Sequence, residues 1–309
     1  MIKNKRICIT GFAGSIGSEL TRQLAPHNKL CGIDIHETEA FDLYEELYQE
    51  GKPIFTIMGD ICNGNLLKRA YKTFGKFDYI FHCAALKHVM PSAWWPEEYV
   101  KTNILGTLRA IELAKINNAK LINISTDKVV DSTCVMGATK RVAEIAVRDA
   151  GFVSVRFGNV MGSRGSVLEL WQKQIDNKKP LTVTDKNMKR YMMTIPEAVG
   201  LVIEAAEVGQ PGQIIVLKMG KPVGILELAE KILKEKRSEV GVKMIGRRVG
   251  EKLEEVLMDE DEKKRVREIG NFWVIPPEII NYSKGGDYSE KNSEKEKDNN
   301  TEKTEKGKN

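Results

Sequence analysis

Three glycines near the N-terminus have the spacing of a phosphate-binding loop. Gly11, Gly14 and Gly17 follow a short apolar run and open a helical pattern, reading T-G-F-A-G-S-I-G over residues 10–17. Gly11 permits a tight turn, Gly14 lets the backbone approach a pyrophosphate, and Gly17 lets the helix pack close to the preceding strand. A diphosphate placed there meets N–H groups at the helix N-terminus, so we expect Ser15 and Ile16 to belong to the same cofactor site.

Two acidic residues follow at the ends of the next predicted strands. Asp34 ends the second strand, where a carboxylate accepts hydrogen bonds from the adenosine ribose and repels a 2′-phosphate. The sequence therefore favours NAD over NADP, with His36 as the nearby side chain that could instead face a phosphate. Asp60 and Ile61 follow the third strand and are placed to contact adenine, although Asp60 could equally be a helix N-cap.

A second group of polar residues lies where the fourth and fifth strands end. Asp127 and Lys128 follow the fifth strand directly. Ligand sites of open α/β sheets lie at the carboxyl ends of strands, so this pair is a candidate for acid–base chemistry; the alternative is an exposed ion pair in a loop. After the fourth strand come three further candidate site residues, Ala84 as a cofactor contact, and Lys87 and His88 in the loop that follows it.

The elements that must position these residues alternate regularly in the first half. Short apolar runs predict strands at 6–10, 29–33, 53–58, 79–83, 120–125 and 152–157. Amphipathic runs between them predict helices at 15–24, 39–49, 65–74, 95–116 and 136–149. This alternation indicates βαβ crossovers, and hence an α/β fold with a Rossmann-type, doubly wound parallel sheet covered on both faces.

The second half predicts a smaller C-terminal substrate-binding lobe. Helices are expected at 166–177, 195–207 and 225–234, and strands at 180–184 and 213–217, with Thr194 as an N-cap. We divide the chain into an NAD-binding domain at 1–158, a partly interleaved substrate lobe at 159–282 and a polar tail at 283–309. Seven lysines and seven acids alternate in that tail, which predicts disorder.

Composition excludes several classes of protein. The chain has 309 residues and a net charge of +5, a mild excess that suits an anionic ligand but does not indicate nucleic-acid binding. Its five cysteines are scattered without a C-x-x-C pair, which argues against disulfides and a zinc site, and no metal is expected. No apolar run is long enough to cross a membrane, and no signal peptide is visible. We therefore expect a reduced, cytoplasmic protein.

Several sequence blocks together resemble one enzyme family. The chain is similar, over about residues 5–258, to UDP-N-acetylglucosamine 4,6-dehydratases of polysaccharide biosynthesis, which are extended short-chain dehydrogenase/reductases. The matching blocks are TGFAGSIGSEL (10–20), HCAALKHV (82–89), VKTNILGT (100–107), STDK (125–128), MGATKR (136–141), RFGNVMGSRGSV (156–167), RYMMTIPEA (190–198) and GEKL (250–253). The resemblance implies a homo-oligomer and corresponds to the family's catalytic part, without the N-terminal membrane region that this branch often carries.

The resemblance also implies roles for the polar residues. Asp127 would be the acid at sugar C6 and Lys128 the base at C5, so the two are expected not to pair with each other, because pairing fixes their charged forms. Lys140 matches the lysine of the family's Tyr-x-x-x-Lys helix, but Met136 occupies the tyrosine position. Thr126 is then the nearest proton acceptor for the C4 hydroxyl, with Ser125 as an alternative. Expected UDP-sugar contacts are Lys87, His88, Asn159, Ser163, Arg164, Arg190, Arg248 and Glu251.

These features leave several functions open. The leading interpretation is 4,6-dehydration with retention at C5, because the glycine loop reads G-S-I-G. An inverting dehydratase and a UDP-hexosamine 4-epimerase of the same fold are the alternatives. A non-catalytic NAD-binding scaffold is a further one, because the tyrosine is missing. Trp94 and Trp95 replace residues that are usually acidic in the family, and either pack at a helix start or contact the sugar or another subunit.

Overall fold

The computed structural model describes residues 2–277, and the predicted tail at 283–309 lies outside these residues. The described residues form the strands β1 Arg6–Thr10, β2 Lys29–Asp34, β3 Phe55–Met58, β4 Tyr79–His82, β5 Lys120–Ile124, β6 Val153–Arg156, β7 Asn159–Met161, β8 Leu181–Val183, β9 Lys189–Arg190, β10 Met192–Thr194, β11 Ile214–Leu217, β12 Val223–Gly224, β13 Val242–Met244, β14 Arg267–Ile269 and β15 Phe272–Ile275.

The helices are α1 Ser15–Leu24, α2 Glu37–Gln49, α3 Gly64–Phe74, α4 Pro91–Trp94, α5 Pro96–Tyr99, α6 Gly106–Asn117, α7 Val135–Asp149, α8 Val167–Asp176, α9 Ile195–Val208, α10 Ile225–Glu235 and α11 Glu260–Arg265. No helix among the described residues is both long and apolar enough to span a bilayer.

Nine strands form the central sheet, in the order β14-β15-β11-β6-β5-β4-β1-β2-β3. Seven neighbouring strands of this sheet, namely β11, β6, β5, β4, β1, β2 and β3, pair in parallel. Strands β15 and β14 extend the sheet beyond β11 and pair in the antiparallel sense. The order reverses between β1 and β4, which opens a crevice at the carboxyl ends of these strands. The predicted Rossmann-type fold is confirmed, and Gly11, Asp34, Ala84 and Asp127 lie at this edge, where β1, β2, β4 and β5 end.

The boundary proposed at residue 158 stays a prediction. Strand β11, expected in the substrate lobe, pairs with β6 in the central sheet. The remaining late strands form three two-stranded sheets, β7–β10, β8–β13 and β9–β12. Trp171 of α8, which is fully buried, packs there with Leu181 and Met188 in a small hydrophobic cluster of its own.

The helix predicted at 95–116 is interrupted. Residues Val100–Leu105 form a π-helical segment between α5 and α6. Inside it the Asn103 side chain accepts a hydrogen bond from Leu86 N at 2.8 Å and donates to Leu86 O at 3.0 Å. This side chain fixes the loop after β4, a constraint that apolar periodicity does not reveal. Trp94, the last residue of α4, and Trp95 are 58% and 54% exposed, and their rings pack against each other edge to face.

A buried ion network connects β6 with two helices. The Arg156 guanidinium, which is fully buried, forms bidentate hydrogen bonds with both Glu144 of α7 and Glu262 of α11, at 2.6–3.2 Å, and also donates to Leu257 O. All five of its N–H donors are therefore used. Burial raises the pKa of Glu262, but the hydrogen bonds and charge of Arg156 outweigh it and lower that pKa to about 2.

Glu144→Gln should destabilise the fold by about 3 kcal/mol, because it leaves part of a buried guanidinium charge without its partner. Glu112→Gln is the matched control, since Glu112 pairs with Arg109 in an exposed ion pair. That substitution should cost less than about 1 kcal/mol. Urea unfolding monitored by circular dichroism measures both values, and equal losses would contradict a structural role for the network.

Candidate active site

The chain turns sharply where β5 ends, and this turn carries the candidate acid–base pair. A 3-10 helix spans Asp127–Val129, and Thr126 caps it by accepting a hydrogen bond from Lys128 N at 3.4 Å. The same Thr126 hydroxyl donates to Asp127 Oδ1 at 3.0 Å. The cap and the hydroxyl together hold the Asp127 carboxyl at the sheet edge, beneath the crevice.

Asp127 and Lys128 form an ion pair, so the expectation that they avoid each other is wrong. Lys128 Nζ lies 2.8 Å from Asp127 Oδ1 and also donates to Asn159 Oδ1 at 3.2 Å. Asp127 is fully buried, and a buried carboxylate needs a cation close by. The tight turn brings the next residue's ammonium to it. Asp127 Oδ2, also buried, has no hydrogen-bond partner among residues 2–277.

Helix α7 places a lysine and a methionine beside this turn. Lys140 donates from Nζ to Ile124 O at 2.5 Å, at the very end of β5. Burial lowers the pKa of Lys140 to about 8. Met136 lies one turn earlier on the helix and is 2% exposed, so a thioether fills the place that the family resemblance assigns to a phenol. Ser125, the alternative hydroxyl, instead donates to Glu144 Oε2 at 2.7 Å and belongs to the ion network.

The glycine loop has the shape that a dinucleotide diphosphate requires. Gly11 has a φ of +67°, and a Cβ there would lie 2.7 Å from Ala84 N, so the loop after β4 lies against the glycine loop. A Cβ on Gly17 would overlap the Gly11 carbonyl. No side chain of the described residues caps α1, so the N–H groups of its first turn, including those of Ser15 and Ile16, lack intrahelical partners. These features fit a bound dinucleotide.

Asp34 and Asp60, two predicted adenosine contacts, both accept hydrogen bonds from nearby backbone N–H groups. Asp34 accepts hydrogen bonds from Ala13 N at 2.9 Å and His36 N at 3.0 Å, one on each carboxylate oxygen. Each oxygen keeps a second lone pair, which ribose hydroxyls could use. Asp60 does not cap α3, because Asn63 does; Asp60 instead accepts from Cys62 N at 2.9 Å. Ile61 is 5% exposed and packs into the core.

Four predicted substrate contacts line one cavity of about 170 Å³, namely Asn159, Arg190, Arg248 and Glu251. Arg248 is exposed, whereas Arg190 is buried. The Arg190 guanidinium donates to the carbonyls of Lys189, Lys252 and Leu253. Only two of its five N–H groups thus remain for a ligand, so its first task is to hold the neighbouring backbone.

The other four predicted contacts do not line that cavity. Arg164 donates to Ala13 O and to Ser15 Oγ, because the positive-φ turns at Gly162 and Gly165 carry it back over the glycine loop. Arg164 therefore lies beside the predicted cofactor loop and not beside the cavity expected to bind UDP. Ser163 is buried in the same loop, and the ring of His88 packs against Gly165. Burial lowers the pKa of Lys87, and the Arg164 charge lowers it further.

Three residues near the site were not expected from the sequence. Asn103 donates to Thr139 Oγ1 at 3.0 Å and so connects the π-helical segment to α7. Lys252 donates from Nζ to Val130 O at 2.6 Å, and Glu255 is buried beside it. The block G-E-K-L at 250–253 was a signal for Lys252, but acidic residues are common in this region and nothing distinguishes Glu255 from them.

Gly17→Ala should weaken dinucleotide binding, because the added methyl overlaps the Gly11 carbonyl and displaces the loop. A cost of about 1–3 kcal/mol is typical of such overpacking and corresponds to about 5- to 150-fold in affinity. Gly200→Ala is the control, since a Cβ there meets open space in α9. Calorimetric titration with NAD measures both variants; equal affinities would show that α1 does not hold the diphosphate.

Comparison with known proteins agrees with this geometry. The chain is 39% identical to the capsular polysaccharide biosynthesis protein CapD of Staphylococcus aureus over 84% of its own length, but spans only 46% of that relative. It is 35% identical to a UDP-glucose 4-epimerase of Rickettsia bellii, over 92% of this chain and 87% of that one. Among solved structures, Pen from Bacillus thuringiensis superposes with a TM-score of 0.84 at 34% identity, covering 89% and 90% of the two chains.

The family model for polysaccharide biosynthesis proteins matches residues 7–277, which are nearly all the described residues. A match of this extent, joined to the glycine loop, the crevice and the turn after β5, shows that the chain belongs to the polysaccharide biosynthesis protein family.

Proposed function

We propose that this protein is an NAD-dependent nucleotide-sugar enzyme that converts UDP-N-acetylglucosamine to a UDP-4-keto-6-deoxy-N-acetylhexosamine, with retention at C5. The product would serve surface-glycan synthesis. The observation that carries the proposal is the buried Asp127–Lys128 pair at the end of β5, which the Thr126 hydroxyl and the Asn159 amide hold in place. An acid and a base side by side are what removal of water across adjacent carbons needs.

The cofactor assignment is supported by the residues of the glycine loop. Bound NAD⁺ would accept the C4 hydride of the sugar and return it to C6. Gly11, Gly14 and Gly17, with Ser15, would hold its diphosphate, and Asp34 its adenosine ribose. Lys140, whose ammonium reaches the end of β5, would bind the nicotinamide ribose.

The ion pair is one proton transfer away from the form that dehydration uses. A proton moving across the 2.8 Å hydrogen bond from Lys128 Nζ to Asp127 Oδ1 leaves a neutral amine and a protonated carboxyl. Charged groups are disfavoured where water is excluded, so a sugar covering the site favours this neutral pair. The charged pair is then the resting form of the same two groups.

Side chains of this protein could accept and donate each proton of the reaction. A ketone at C4 acidifies the C5 proton, which the Lys128 amine removes, while the Asp127 carboxyl protonates the C6 hydroxyl and water leaves. Lys128 returns its proton to C5 when C6 receives the hydride. Asp127 already carries a proton at this stage, so the C4 hydroxyl proton would pass through Thr126 Oγ1 to the amine form of Lys140, whose pKa burial lowers to about 8, and would restore the Lys128 ammonium after the product leaves. Met136 needs no part in proton transfer.

Substrate recognition is assigned to the cavity beside this turn. The exposed Arg248 guanidinium and the remaining donors of Arg190 would bind the UDP diphosphate. Asn159 lines the cavity and contacts Lys128, so it lies between the diphosphate and the reacting carbons. A 4-epimerase remains the second candidate, because the Rickettsia relative carries that name. Such an enzyme would not use the Asp127–Lys128 pair.

Asp127→Asn and Lys128→Ala should each lower the dehydration rate by about 10²–10⁴-fold, the usual contribution of a general acid or base. Asp131→Asn is the matched control, since Asp131 is exposed and lies four residues farther along. Mass spectrometry after incubation with UDP-N-acetylglucosamine measures the loss of water, and proton NMR of the product gives the C5 configuration. An isomer of unchanged mass from the wild type would instead identify an epimerase.

A further inference from the structure

The loop at 162–166 brings a cation onto the glycine loop from 149 residues away in the chain. The backbone N–H of Arg164 donates to Ser15 Oγ at 3.0 Å, and its guanidinium donates to Ala13 O. The same guanidinium lies 3.2 Å from the carboxylate of Glu39, in the first turn of α2. One side chain thus connects the glycine loop with the start of the next helix.

The backbone of this loop fixes where Arg164 lies. Gly162 and Gly165, on either side of it, have φ values of +75° and +67°, which favour glycine. A Cβ on Gly165 would lie 2.7 Å from the His88 ring, and Ser166 N donates to Ser163 O at 2.9 Å to close the turn. The approach of Arg164 to the glycine loop therefore follows from the loop conformation and not from its side-chain rotamer alone.

The glycine loop itself offers a diphosphate little positive charge. Residues 11–17 include no lysine or arginine. The N–H of Ala13 is already used by Asp34, whose carboxylate adds negative charge beside the loop. The first turn of α1 contributes only the partial charge of its N–H groups. The guanidinium of Arg164 supplies a full charge and the planar set of donors that phosphate oxygens accept.

The present partners of Arg164 leave it free to bind an anion. Its side chain is 47% exposed, and its ion pair with Glu39 is exposed as well. Such a pair contributes little free energy, so exchanging the carboxylate for a phosphate oxygen costs little. Arg164 is absent from the lining of the cavity assigned to UDP, where Arg248 provides the exposed cation.

We propose that Arg164 is a cofactor-binding residue that closes over the diphosphate of the dinucleotide and slows its release, rather than a contact for the nucleotide sugar. The inference rests on the cofactor of the proposed function, but not on dehydration. The guanidinium would exchange Glu39 for the diphosphate, while the bond to Ser15 holds the loop in place. Slow release suits a reaction that returns the hydride to the sugar, because the cofactor need not leave between turnovers.

Release of NADH, followed by the fluorescence of the bound form in a stopped-flow instrument, tests this role. Arg164→Gln should release NADH about tenfold faster and show a weaker dependence on salt, because a charged hydrogen bond is lost. Arg164→Lys keeps the charge and should recover part of the loss. Arg22→Gln is the matched control, since Arg22 also pairs with a carboxylate of α2, but from the last turn of α1. An unchanged release rate in Arg164→Gln would overturn the proposal.

Glu39→Gln separates cofactor binding from a merely structural ion pair. If Arg164 exchanges Glu39 for the diphosphate, loss of that carboxylate should strengthen NADH binding about twofold to fivefold. Arg164→Gln should have the opposite effect. Weaker NADH binding in both variants would show that the pair only fixes the loop, and would overturn the proposal.

Calorimetric titration with UDP distinguishes the two sites without any turnover. Arg164→Gln should bind UDP as the wild type does, whereas Arg248→Gln should bind UDP more weakly and NADH normally. Weaker UDP binding in Arg164→Gln, with unchanged NADH binding, would assign Arg164 to the nucleotide sugar and overturn the proposal. A wild type that shows the expected NADH results but releases no water from UDP-N-acetylglucosamine would refute the dehydratase and retain this role of Arg164.

Discussion

The arrangement of the site depends on the hydrogen bonds that the Arg156 guanidinium donates. It uses every N–H donor on partners from α7, α11 and the loop before α11. Glu144, one of these partners, also accepts from Ser125 at the end of β5. The strand end, the helix that carries Lys140 and the C-terminal segment are thus joined through one cation. Buried ion pairs add little net stability, so the contribution of this network lies in fixing positions.

The segment from residue 250 to residue 262 is consequently held at both ends. Glu262 anchors its far end to Arg156, while the near end receives hydrogen bonds from Arg190 and is fixed to Val130 by Lys252. A loop with both ends fixed loses less conformational entropy when its middle becomes ordered. This is how a carboxyl such as Glu255 stays buried beside the acid–base turn, although it lacks a full set of hydrogen bonds.

The sequence predicts the fold and the place of the site, but not the contacts between distant segments. Apolar runs and helical patterns are local, so the strands β1 to β6 and the bounds of α1 agree with the prediction, whereas the antiparallel strands β14 and β15 were not predicted. The strand-end rule likewise selected Asp127 and Lys128. The structure places Arg164 over the glycine loop and buries Glu255, and both features depend on packing between residues far apart in the chain. The Asp127–Lys128 ion pair is likewise held by Asn159, 31 residues away from Lys128. No local pattern encodes such contacts, and the interrupted helix near Asn103 shows the same limit.

The methionine at position 136 is consistent with the proposed reaction, which assigns the proton transfers of water loss to the turn after β5 rather than to α7. A tyrosine at this position would place another titratable side chain beside Lys140, whose pKa is already lowered by burial. With a thioether there, the Thr126 hydroxyl is the group that reaches Asp127 from the strand end. The hydroxyl, the carboxyl and the amine then belong to three consecutive residues. Their spacing is set by the backbone of one short 3-10 turn, which preserves their geometry even when protons move between them.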